Sequence, residues 1–172
     1  MTSTIIECVF ARSGAPVQND IAPAIQIAGA TGSGSLQLRL YPRGVACSVG
    51  AGRYPYQYRV DMTPVSGPLP AAAVHTLSLE FRPVSRINYD GPGGSDLFVI
   101  TRGGPGTVRP TSVTQREDRL TIAFGAPGVA AGNSSLTIGL TSDHPTSDTT
   151  AQVTDGAGNT HTIATRAPAL PS

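Results

Sequence analysis

Glycine and proline interrupt this chain so often that no window of about eleven residues free of both carries the i, i+3, i+4, i+7 apolar stripe of an amphipathic helix. The 20 glycines and 15 prolines make up about a fifth of the 172 residues, against roughly 12% in an average protein. Inside a helix they cost about 1 and about 3 kcal/mol each relative to alanine. Helices should therefore be absent or reduced to single turns. What remains between the breakers is period-2 alternation, the signature of a half-buried strand.

The best alternating segments are Ser35–Tyr41, Tyr56–Met62, His75–Phe81, Arg119–Phe124 and Ser135–Leu140. Shorter ones lie at Ala24–Ala28, Leu97–Thr101, Ser112–Gln115, Thr150–Thr154 and His161–Thr165, and Thr4–Phe10 alternates in the same way. Turn chemistry separates them, as in Gly29–Gly34, Pro64–Pro70, Gly125–Gly132 and Asp155–Asn159. The reading is an all-β protein: an antiparallel β-sandwich, immunoglobulin-like or jelly-roll-like, of about 9–11 short strands. Its inner face should be lined by Leu36, Leu38, Leu40, Val60, Met62, Leu77, Leu79, Phe81, Leu120, Ile122, Phe124, Leu136 and Ile138, which share the alternation. A single β-sandwich domain over residues 1–172 is expected, since one domain of this length buries roughly 70% of its unfolded surface. Its looser N-terminal segment, residues 1–50, is free to pair with a neighbouring subunit, Thr2–Phe10 as a swapped strand.

Charge and composition exclude several classes. All twelve basic residues are arginine, and without lysine there is neither a Walker phosphate loop nor a lysine Schiff base. The formal charge of +1 offers no field for nucleic acid, and no stretch of about 18 apolar residues implies membrane insertion. The opening Met1–Glu7 lacks the basic start and apolar core of a secretory leader. Catalytic patterns also fail: Gly94-Ser95-Asp96 does not complete a nucleophile elbow, and His75, His144 and His161 are scattered. The protein is read as non-enzymatic, with no cofactor other than a candidate calcium ion.

Three constellations remain as candidate sites. In Asn88-Tyr89-Asp90-Gly91-Pro92-Gly93-Gly94-Ser95-Asp96, the side-chain oxygens of Asn88, Asp90 and Asp96 flank a glycine turn and could ligate calcium, at roughly 10⁻⁴–10⁻³ M. The competing reading is an Asx/Gly hairpin. Tyr54, Tyr56 and Tyr58 share one strand face and could stack on a sugar or a base, although Val60 and Met62 continue that face as a core face would. Cys8 and Cys47 are open to three readings: a buried thiol, a disulfide between neighbouring strands, or a reactive thiol. Arg39, Arg43, Arg53 and Arg59 make the first third locally basic and are expected to find local partners.

From about Tyr56 to Pro168 the order of features resembles an immunoglobulin-like β-sandwich domain of bacterial exported, cell-surface or matrix proteins. The resemblance is carried by Tyr58-Arg59-Val60-Asp61-Met62-Thr63, His75–Phe81, Asn88-Tyr89-Asp90-Gly91 with Asp96–Thr101, and Gly104–Val108. Val153-Thr154-Asp155-Gly156-Ala157-Gly158-Asn159-Thr160 is similar to the last-hairpin turn of such modules. It implies a surface, matrix or appendage role and no catalytic residues. The expectation is a structural or adhesive protein of a bacterial surface or extracellular assembly, built as a homo-oligomer or an assembly of like subunits, including a filament. Two alternatives stand beside it: a phage virion protein (capsid decoration or fibre subunit), and a small ligand- or carbohydrate-binding module.

Overall fold

The alternating segments form two antiparallel sheets packed face to face; the computed structural model describes residues 4–10, 18–43, 50–90, 93–101 and 105–169. The first sheet runs β1 (Gln18–Ile21), β3 (Gly34–Leu40), β4 (Tyr54–Asp61), β10 (Thr137–Ser142), β6 (Val99–Thr101), with β2 (Ala24–Ile25) also paired to β3. The second runs β12 (Thr160–Pro168), β11 (Thr146–Asp155), β5 (Ala73–Glu80), β8 (Arg119–Ala123), β7 (Ser112–Arg116), with β9 (Val129–Ala130) on β5. Hairpins β3–β4, β7–β8 and β11–β12 stay within a sheet, and the chain changes sheet between them.

Register follows from which side chains must be dry. Leu38 lies opposite Tyr58, and Tyr58 opposite Ile138; in the other sheet Leu79 lies between Leu120 and Ala151. All of these are buried, and a one-residue slip would turn each out to solvent. Every expected core residue is buried except Leu136, which is half-buried. Its amide bonds to the Val108 carbonyl instead of joining the β4–β10 ladder, so it packs at the margin. The strands Thr150–Thr154 and His161–Thr165 extend into a hairpin of ten- and nine-residue strands, because Thr and Ser on the wet face carry the alternation further than the apolar residues do.

The first sheet is covered on its outer side too, and here the sequence reading of Thr4–Phe10 is corrected. The segment is a helix, α1 (Thr4–Phe10), lying on its own chain and not an edge-pairing strand. Ile5, Ile6, Val9 and Phe10 are spaced i, i+1, i+4, i+5 and so share one helical face; seven residues satisfy either period. So short a helix is not held by propensity. It is held by packing in a second apolar cluster of Val9, Phe10, Tyr41, Ile87 and Tyr89. The Phe10 ring stacks on Tyr89 at 6.0 Å and meets Tyr41 edge-on at 6.3 Å. Its seat is Gly139 in β10, where a β-carbon would stand 2.6 Å from the ring. Gly139→Ala should therefore cost about 1–3 kcal/mol through overpacking, read as a lower urea midpoint. Of the segment read as loose, Gln18–Ile21, Ala24–Ile25 and Gly34–Leu40 are strands of the first sheet.

One backbone conformation is unfavourable. Glu117 turns the β7–β8 hairpin at φ 52°, the left-handed region that suits glycine. Its side chain is exposed. Glu117→Gly should raise stability by roughly 0.5–1 kcal/mol, the relief of strain exceeding the added unfolded-state entropy. Thermal melts of the two proteins check it.

Candidate functional site

Tyr54, Tyr56 and Tyr58 do share a face of β4, and it is the inner one. Tyr56 and Tyr58 are 1% exposed and set their rings edge-on to Phe81, at 5.3 and 6.3 Å. Each hydroxyl donates to a main-chain carbonyl, Tyr56 to His144 of the β10–β11 connection at 2.9 Å and Tyr58 to Arg166 of β12 at 2.7 Å, so Tyr58 fastens the first sheet to the second. Burial, reinforced by the neighbouring tyrosine, pushes both phenols well above their ordinary value, and neither ionises near neutrality. Tyr58 is thus closed to any ligand, while Tyr54, half-buried at the strand's start, looks into open space.

That space is a hollow of about 200 Å³ at one end of the sandwich. Its buried lining is Leu40, Tyr41, Pro55 and Tyr56; its rim is Pro42, Tyr54, Pro145, Thr146 and Arg166. The prolines and Arg166 carried no signal in the sequence, because they come from four separate segments that meet only in the fold. Arg166 pairs its Nε with Asp148 at 2.7 Å. Arg43 stands 6.0 Å over the Tyr54 ring and donates its Nε to the Gly52 carbonyl at 2.9 Å. The other arginines of this region also find near partners, Arg59 with Gln37 and Asp61, and Arg53 with Asp143 at 3.6 Å.

The Asn88–Asp96 loop is closed by its own hydrogen bonds. Ile87 and Asp96 exchange main-chain bonds of 2.9 and 3.3 Å. The Asp96 carboxylate accepts from the Tyr89 amide at 3.3 Å, and the Asn88 amide donates to the Gly93 carbonyl at 3.2 Å. Asp90 is exposed, and Gly91 and Pro92 lie outside the described residues. Among the described residues no three of His, Cys, Asp and Glu stand together as a metal set. Behind the loop, Tyr89 is buried, which pushes its phenol up to about 12.

A heavily bonded polar group lies elsewhere, in the β11–β12 turn. The Asp155 carboxylate, 1% exposed, accepts from the main-chain amides of Ala157 and Asn159, both at 2.9 Å, from the Asn159 side chain, and pairs with His161 Nε2 at 2.9 Å. Burial pushes this carboxyl up, but the donors of His161, Asn159 and Ala157 together outweigh it and leave it below the ordinary aspartate value. The Asp155–His161 pair closes the β11–β12 hairpin. The only sequence signal was the turn composition of Asp155–Asn159; that His161 returns to the carboxylate depends on the tight hairpin.

Of the two cysteines, Cys8 on α1 is disulfide-bonded. Cys47 lies outside the described residues.

The broadest surface feature is the outer face of the second sheet. Two adjacent rows cross β12, β11, β5, β8 and β7, Thr162–Gln152–Ser78–Thr121–Thr114 and Thr160–Thr154–Thr76–Ala123–Ser112. None of these residues is charged, and neighbouring hydroxyls such as Ser78 and Thr121 are 3.1 Å apart. The next row holds Glu80, Arg119 and Arg116, and the Arg119 guanidinium donates to Gln152 of the first row at 2.6 Å. Among the described residues no helix is long and apolar enough to cross a membrane. Compared with protein-family models, curated proteins and solved structures, the chain matches none.

Proposed function

We propose that this is a non-enzymatic structural protein of a bacterial surface or extracellular assembly, meeting like subunits through the outer face of its second sheet. The observation that carries the reading is that face. Small soluble domains keep about a quarter to a third of their surface charged, with both signs interspersed. Here two rows, five strands wide, carry no charged residue of their own, with the Arg119 guanidinium reaching in from the next row to Gln152. At a strand spacing near 4.8 Å the rows are about 20 Å long, a regular array that a second copy can meet at low desolvation cost. The bonded state of Cys8 supports an oxidising location such as the cell exterior. The structure's polar investments point the same way, since the Asp155–His161 pair and the tyrosine hydroxyls hold the fold together.

Electron microscopy of the purified protein at high concentration, alongside the native material, tests the reading. Ordered multimers or filaments, and the same objects on the cell exterior, are expected. Isolated single particles in both samples would overturn it.

A further inference from the structure

The second sheet ends on β12, which at nine residues is the longest edge strand among the described residues; β1, β6 and β7 have four, three and five. Hydrogen-bonded pairs bracket the β11–β12 hairpin. The Asp155 amide donates to the Asn159 carbonyl at 2.9 Å, and the Ala169 amide to the Pro145 carbonyl at 2.7 Å. The register between them is unbroken, so odd-numbered residues of β12 bond to β11 and even-numbered ones turn their amides and carbonyls outward. The C-terminal half of this edge is blunted: the Arg166 carbonyl accepts the Tyr58 hydroxyl, and Pro168 has no N–H to offer. The N-terminal half is open. The outward amides and carbonyls of Thr160, Thr162 and Ala164 meet no partner among the described residues, and all three residues are exposed. His161, between them, is held by Asp155. Lysine, proline and bulges, the devices that close natural edges, are all absent from Thr160–Ala164.

We propose that this half of β12 pairs antiparallel with β12 of a second copy, across a two-fold axis at Thr162, and joins the two second sheets into one. With Thr162 against its counterpart, Thr160 of each copy lies against Ala164 of the other, and each pair exchanges two main-chain bonds. Every outward amide and carbonyl of the three residues then has a partner. A two-fold axis sets like against like, so a charge on it would repel its own copy. Here threonine meets threonine, and threonine meets alanine. The same register places the row Thr162–Gln152–Ser78–Thr121–Thr114 in line with its counterpart, so the row runs on across both copies. Moving the axis to Ala164 would set the Thr162 amide against the Arg166 carbonyl, which already accepts from Tyr58. An unlike strand would fill the same main-chain bonds, but only self-pairing continues the row. This contact uses the sheet's edge and does not depend on association through its face.

Amide hydrogen exchange followed by NMR on the full protein, dilute and concentrated, reads the edge directly, because face-to-face association leaves the outward amides of β12 uncovered. The amides of Thr160, Thr162 and Ala164 should exchange about tenfold more slowly, or slower still, in the concentrated sample. Ala164→Pro removes an N–H that β11 does not use and lies outside both rows, so it should fold and lose that protection at Thr160 and Thr162. Thr114→Lys, at the far end of the row, alters the face and should leave the protection in place. Fast exchange of the three amides at every concentration would overturn the pairing, even in a protein that associates through its face. Protection that survives Ala164→Pro would overturn it too, as would protection that appears only on adding an alternating threonine–valine octapeptide. The wild-type comparison stands even if the proline variant fails to fold.

Discussion

Asp155→Ala is expected to destabilise the protein by about 3–5 kcal/mol. The carboxylate satisfies the amides of Ala157 and Asn159, the Asn159 side chain and His161, all within one turn. The carboxylate is buried while Ala157 and Asn159 are exposed, so water can take up part of the lost bonding; a hydrogen bond to a charged group contributes about 1.5–3 kcal/mol. The turn cannot relax easily, because Gly156 sits so close to the Pro70 carbonyl that even a β-carbon would overlap it. The same group gives the fold an acid limit. Its folded pKa lies below the ordinary value of 3.8, so the charged form is the one the fold stabilises. The stabilisation is complete above the unfolded pKa and is lost as pH falls through the folded one. Denaturant unfolding from about pH 5 downward should show a steeper loss for the wild type than for Asp155→Asn. Equal slopes would mean that the turn is not where the proton goes.

Leu79→Ala is the second large effect, about 2–5 kcal/mol. Leu79 is 1% exposed, at the centre of the second sheet between Leu120 and Ala151. Neighbours on both flanking strands hold the space open, so the cavity persists and adds to the lost transfer energy. A urea series should show the midpoint falling with the slope unchanged. Thr150→Ala, on the wet face of the next strand, should stay within about 0.5 kcal/mol.

How much of this was legible in the sequence depends on whether the signal was local. Leu36, Leu38 and Leu40, or Leu77 and Leu79, announce their strands because a period of two with one dry face has no other solution. Thr4–Phe10 fits both periods within seven residues, and only the seat at Gly139 decides between them. Gly139 itself reads in sequence as a weak point in a strand, whereas it is the gap that admits Phe10. Tyr54, Tyr56 and Tyr58 were visible as a face, and the competing core reading describes Tyr56 and Tyr58. The hollow beside Tyr54 was invisible, since Pro42, Pro145 and Arg166 are brought together by the sheets. The hydroxyl rows were equally hidden: β5, β7 and β8 each hold a single threonine, and the array exists only across the register.

That array is the centre of the functional reading, and sedimentation velocity across a concentration series tests it directly. Thr114 and Thr162 are exposed at the two ends of one row, so Thr114→Lys with Thr162→Lys places charge in the face without touching the core. The wild type should sediment faster as concentration rises, and the double variant should remain a monomer with an unchanged melting temperature. A wild type that stays monomeric throughout, or a double variant that associates as the wild type does, would contradict the account.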